Sequence, residues 1–409
     1  MRADHPPPPN PAAAAAAVWP LCIAGLLALA VAMGIGRFAF TPLLPLMQRE
    51  GLLDDGGGAA LAAANYLGYL LGALSAAALA GRPRRLVLGG LFATAAVTAG
   101  VAAVSALAPW LALRLVAGVL SAWVMVGVST WVLGELARAG HSALGGVVFA
   151  GVGVGICAAG LLVWARPADG SAALWVWLGL LALLASAVVA WCLRPAAGPR
   201  AVATPAAAGT PAPLPRGSGG LVVCYGLMGF GYILPATYLP ALARELVDDP
   251  QRFGLAWPLF GLAAAVSTLL AARVLRRWRQ LDVWAACHLL LALGCALPLL
   301  GGSLALIGLA ALAVGGSFMV ATMAGLQQAR QLAPERPAAL LARMTAAFAL
   351  GQIAGPLVAL AWAQAPLPAL DGLESTLLLA TLLLVASAAW LHLRKESPDD
   401  QRPPTAASR

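Results

Sequence analysis

Twelve apolar runs, each close to the ~20 residues needed to cross the hydrocarbon of a bilayer, divide the 409 residues of this chain. They fall at 18–47, 59–80, 85–107, 110–134, 143–165 and 172–193, and then at 218–243, 253–275, 282–300, 303–329, 338–364 and 373–393. Inside hydrocarbon no water satisfies backbone N–H and C=O groups, so a chain written this way is driven to helices. Composition agrees: 61% of the residues are hydrophobic and 10% are charged, against about a quarter charged in soluble domains. The expected class is an all-α membrane protein with twelve transmembrane helices.

The runs group six and six. Between them, residues 194–217 are rich in Pro, Ala and Gly and carry Arg194, Arg200 and Arg216 with no acidic residue, the composition of a flexible linker. The organisation read from this is a disordered arm at 1–17, a six-helix unit at 18–193, the linker at 194–217, a second unit at 218–393 and a tail at 394–409. Arginine placement orients it. With the N-terminus inside, the inner segments hold Arg82, Arg84, Arg85, Arg138, Arg273, Arg276, Arg277, Arg330, Arg394 and others, whereas the outer ones hold Arg49, Arg166, Arg244 and Arg252. That bias predicts both termini in the cytoplasm.

The net charge of +9 forms no continuous face or arm, which argues against a nucleic-acid partner. Cys22, Cys157, Cys192, Cys224, Cys287 and Cys295 all lie within apolar runs as small hydrophobes. The four histidines, His5, His141, His288 and His392, are scattered. No HExxH, GxSxG or phosphate-binding loop is present, so the expectation is a protein that is not an enzyme and holds no cofactor or metal, driven by a solute or ion gradient.

One charge stands out. Arg37 lies in the first run, where a guanidinium costs from about 2.5 to more than 10 kcal/mol depending on the reference. Gly34 and Gly36 precede it, and Pro42 and Pro45 follow. The glycines permit bending, and the prolines remove backbone donors and free carbonyls a turn earlier. Irregular backbone at membrane depth is tolerated against protein or a water-lined cavity, so Arg37 is expected to face a polar cavity.

Two spacings link the halves. Gly34-x-Gly36 with Pro45 recurs as Gly229-x-Gly231 with Pro240, an offset of 195, and Gly151-x-x-x-Gly155 recurs as Gly351-x-x-x-Gly355, an offset of 200. A duplicated six-helix unit places a binding site near the midplane between the copies. At the first offset, Tyr232 corresponds to Arg37.

These features resemble the major facilitator superfamily of secondary transporters. The strings GIGRFAFTPLLPLM (34–47), ANYLGYLLGAL (64–74), GFGYILPATYLP (229–240) and GQIAGP (351–356) are similar to its YbfB/YjiJ-type branch. The resemblance implies two six-helix bundles in the major facilitator fold, working by alternating access, with the first, fourth, seventh and tenth helices lining the cavity. Arg114-x-x-x-Gly118 resembles an element tied to proton-coupled exchange. Gly151, Gly155 and Gly160 echo a glycine-rich antiporter motif, although Ile156 stands where its proline belongs and that proline appears instead at Pro356.

The candidate substrate-binding residues are Arg37 and Arg114 as cations, with Asn65, Tyr66, Tyr232, Thr237, Tyr238 and Gln352 as neutral hydrogen-bonding and aromatic groups. For both arginines the competing role is to hold carbonyls released by the Gly/Pro break. Trp19, Trp110, Trp191 and Trp257 read as interfacial belt residues, and His288 as a buried structural residue. Two facing cations favour a small organic anion or amphipathic metabolite as substrate. The expected partners are that solute, the lipid bilayer and a coupling proton or counter-substrate, with the protein a monomer. Alternatives left open are a drug or neutral-sugar exporter with structural arginines, and a non-transporting membrane sensor or scaffold.

Overall fold

The computed structural model describes residues 11–79, 83–166, 168–194, 215, 217–247, 249, 254–333, 337–364 and 370–394. Among these residues are twelve helices long and apolar enough to span a membrane. The first six are α1 (Val18–Arg49), α2 (Asp55–Ala76), α3 (Pro83–Ala103), α4 (Leu107–Arg138), α5 (Ser142–Ala165) and α6 (Ser171–Cys192). The second six are α7 (Ser218–Leu246), α8 (Ala256–Arg277), α9 (Gln280–Leu300), α10 (Leu304–Leu332), α11 (Ala339–Gln364) and α12 (Gly372–Leu393). They form two six-helix bundles. Because the number of crossings is even, α1 enters and α12 leaves on one side, here called the terminal face.

Helix ends differ from the sequence expectation where local chemistry extends them. α2 starts at Asp55, running straight through Gly56–Gly58, because Asp54 caps it: the Gly57 N–H donates to Asp54 Oδ1 at 2.7 Å. α4 takes a π-helical turn at Val128–Val132 and continues past 134 as α-helix to Arg138. Helical backbone in α1 reaches back to Pro11, into the arm expected to be disordered. Residues 1–10, nearly all of the linker and the tail beyond Arg394 lie outside the described residues.

Glycines set how closely the helices approach. A Cβ at Gly118 of α4 would stand 2.1 Å from the Asn65 carbonyl oxygen of α2, and one at Gly68 would stand 2.0 Å from that of Leu115. The antiporter-like glycines do the same against α1, Gly151 meeting the Leu26 carbonyl and Gly155 that of Ala30. In the second bundle Gly351 meets the Gly226 carbonyl, and the nearest backbone to Gly355 is the Phe230 carbonyl. Leu26 and Gly226 are 200 residues apart, as are Gly151 and Gly351. The duplication is therefore written into packing, in the 200-residue register. That register is read on α1 at Leu26 and Ala30, ahead of its π segment; past the segment Thr41 meets Ala236, 195 residues on, the offset that pairs Arg37 with Tyr232.

Where the bundles meet, α5 lies on α8 with almost no side chain between. Gly153 approaches the backbone of Gly261 and Ala265, and Gly160 approaches Pro258. Nearby, Trp257 is fully buried, stacked on Phe260 at 4.8 Å between ring centroids. Trp110 is also buried, donating to the Val101 carbonyl at 3.1 Å. Both were expected in the interfacial belt. Length from the helix end misplaced them, because each has a helix neighbour at that depth. Trp19 and Trp191 are exposed on the bundle surface, as a belt requires.

Replacing Gly118 by Val forces α4 off α2 and is expected to cost at least the ~1–3 kcal/mol typical of overpacking. The same change at Gly89, where an added Cβ would meet nothing within 4 Å, is expected to leave thermal unfolding in detergent nearly unchanged.

Candidate substrate site at the seam between the bundles

The break in α1 is built as its residues dictate. Backbone bonding shifts to a π pattern over Ala30–Ile35, and residues 36–39 form a turn before helix resumes at Phe40. With Pro42 unable to donate, the Thr41 N–H turns to the Phe38 carbonyl at 3.2 Å. The carbonyls of Gly36 and Arg37 are then taken by Arg114 of α4, whose Nη1 and Nη2 donate to them at 3.2 and 2.9 Å. Asn65 of α2 donates in turn to the Arg114 carbonyl at 2.9 Å. Arg114 and Asn65 are both buried, forming the layer behind the site. The expectation that both arginines present charge to a ligand is corrected for Arg114, which is spent on backbone.

Arg37 itself projects from this braced turn into the seam. Its guanidinium carbon lies 4.1 Å from the ring centroid of Tyr69 and 5.4 Å from those of Tyr66 and Phe38, within cation–π range. Arg37 Nη2 donates to Oε1 of Gln352 on α11, and Gln352 Nε2 donates to the hydroxyl of Tyr232 on α7. Arg37 Nε has no partner. Arg37 is 2% exposed, and among the described residues no carboxylate lies within ion-pair distance of it. Instead of an open polar cavity, the guanidinium has a closed seam lined by rings and one amide.

Two further hydrogen bonds cross between the bundles on the side of Arg37 away from the terminal face. Thr41 Oγ1 donates to the Ala236 carbonyl at 2.9 Å, and the hydroxyls of Tyr66 and Thr237 are 2.9 Å apart. Beyond them a cavity of about 260 Å³ lies on that far side, lined by Gln48, Asp55, Tyr238, Arg244, Glu245 and Asp371 among others. The structure thus gathers Arg37, Tyr66, Tyr232, Thr237 and Gln352 at the seam and places Tyr238 in the separate far-side cavity.

Sequence reasoning missed the rings that frame the site. Tyr232 is stacked between Phe318 and Phe348, at 5.3 and 5.4 Å. Phe318 packs on Phe260, which continues through Trp257 to Phe38 of the first bundle. The available signal was spacing: Phe348 is four residues before Gln352 and so shares its helix face. His288 is fully buried with Nδ1 2.9 Å from Ser387 Oγ inside the second bundle, away from the seam and consistent with a structural role.

Each bond from Arg114 to a carbonyl is charge-assisted and worth about 1.5–3 kcal/mol. Arg114→Ala is therefore expected to destabilise the protein by about 3 kcal/mol or more in ligand-free thermal unfolding. Arg37→Ala, which removes no bond to backbone, is expected to lower stability by distinctly less.

The family model described as the uncharacterised MFS-type transporter YbfB matches residues 29–392. No curated protein matches the sequence. Among solved structures, a mutant of the nucleoside transporter NupG aligns with a TM-score of 0.71 over 92% of this chain and 99% of that one, at 13% identity. At that identity the likeness is one of fold, and it covers both bundles. Twelve spanning helices, their duplicated packing and a family match over nearly the whole described region agree: the chain belongs to the YbfB family of major-facilitator-type membrane transporters.

Proposed function

We propose that this protein is a secondary active transporter that moves a small organic anion across the bacterial inner membrane by alternating access. The observation that carries the reading is Arg37: a buried guanidinium at the seam, without a carboxylate partner, bonded across the seam to a neutral amide. Leaving a buried charge uncompensated is costly, and an anionic solute supplies what the protein withholds. The position supports transport as well, because Arg37 belongs to one bundle and Gln352 and Tyr232 to the other. A ligand touching all three senses both halves of a rocking pair.

One solved structure of the same fold is that of a nucleoside transporter, which supports a small organic solute in general terms. The charge on Arg37 favours an anion over an uncharged nucleoside. The arginine bias between loops supports a terminal face in the cytoplasm, and the glycine-rich face of α5 supports export. A coupling ion and a monomeric state remain part of the proposal.

Reconstituted into proteoliposomes, the wild-type protein is expected to exchange organic anions with the lumen. Arg37→Ala is expected to reduce that flux at least about tenfold, the equivalent of one lost charge-assisted contact. Equal flux in Arg37→Ala, or transport restricted to uncharged solutes, would show that Arg37 is structural and return the protein to the neutral-substrate reading.

A further inference from the structure

Resting on the anion reading, we infer the number and shape of the charge: the substrate is a monocarboxylate with a flat apolar body, gripped side-on by Arg37 after it displaces the amide of Gln352. The vacant partner positions on the guanidinium carry this. On a guanidinium, Nε–H and the nearer Nη2–H point the same way and match the two oxygens of a carboxylate. In Arg37, Nε is without a partner and Nη2 donates to Gln352 Oε1. The primary amide of Gln352 is planar and close in shape to a carboxylate, but offers one acceptor where the edge calls for two. It stands in for half of the ligand.

The charge count follows from Arg114. Both of its Nη atoms are held by the Gly36 and Arg37 carbonyls, and its Nε, though without a partner, shares its edge with the Nη2 that the Arg37 carbonyl occupies, so gripping a second anionic group would break the bonds that brace the turn in α1. A dicarboxylate or a phosphate monoester would bury a negative charge with no counterpart, which is strongly unfavourable. The shape follows from the lining. Around Arg37 stand the rings of Phe38, Tyr66 and Tyr69, and the neutral polar groups beside them are already engaged with one another. Flat apolar surface is what such walls receive.

Displacement links occupancy to motion. The Arg37–Gln352 bond ties α1 to α11, one in each bundle. A carboxylate taking the guanidinium edge breaks that tie and releases Gln352 while its Nε2 remains free to bond Tyr232. The ligand thereby removes one of the hydrogen bonds that close the seam.

The test uses the full-length protein, with binding read as thermal stabilisation in detergent and counterflow in proteoliposomes. The probes are benzoate, acetate, benzamide, phthalate and phenyl phosphate. Benzoate is expected to bind at least tenfold more tightly than each of the others, and its effect is expected to vanish in Arg37→Ala and to be lost in Arg37→Lys, which keeps the charge but not the fork. In Gln352→Glu the new carboxylate should occupy the same edge, abolishing the benzoate response while the unliganded protein stays folded.

Binding of phthalate or phenyl phosphate as tight as benzoate, and dependent on Arg37, would overturn the single-charge inference while leaving anion transport standing. Acetate equal to benzoate would overturn the apolar body. A full benzoate response in Gln352→Glu would overturn displacement, and this variant decides the matter even if Arg37→Ala fails to fold. No Arg37-dependent response to any charged probe would sink both this inference and the proposed function.

Discussion

The grip of Arg114 on the two carbonyls released by the break in α1 is the interaction on which the site depends. Glycines and prolines make the break available, but freed carbonyls at membrane depth need a donor. A guanidinium from the neighbouring helix provides two. This fixes the turn that carries Arg37, and so fixes where the second guanidinium can point. The two arginines are close in space and opposite in employment. One secures backbone, and the other presents an incompletely satisfied edge to the opposite bundle.

Packing within each bundle follows a second constraint, the absence of side chains at chosen helix crossings. Gly151 and Gly155 let α1 lie directly on α5, and the equivalents 200 residues later do the same for α7 and α11. In lipid there is little hydrophobic drive between helices, so close backbone contact is a main source of association. The same device is used between bundles at Gly153 and Gly261. There it joins the two bundles.

Much of this was legible from residues. Span count follows from hydrophobic length alone, and the break in α1 from the order Gly, Gly, Arg, Pro, Pro. Arg37, Tyr232 and Gln352 converge, although they are far apart in sequence, because each is a polar group in an otherwise apolar helix. What could not be read was the direction in which a side chain points. Arg114 and Arg37 look alike as charges in helices, and only the geometry separates the one bonded to carbonyls from the one bonded to an amide. Trp110 and Trp257 were misplaced for a related reason: nearness to a helix end does not say whether protein or lipid lies alongside.

The backbone-on-backbone contact of α5 with α8 also has a mechanical meaning. With no long side chains interposed at Gly153 and Gly261, one bundle can tilt on the other there without unlocking rotamers, as a lever turns on a fulcrum. The ends of α5 lie ~16–18 Å from Gly153 at ~1.5 Å per residue. A tilt of about 10° would displace such an end by about 3 Å while the fulcrum itself scarcely shifts, so a small rearrangement beside Gly153 would be magnified at the membrane surface.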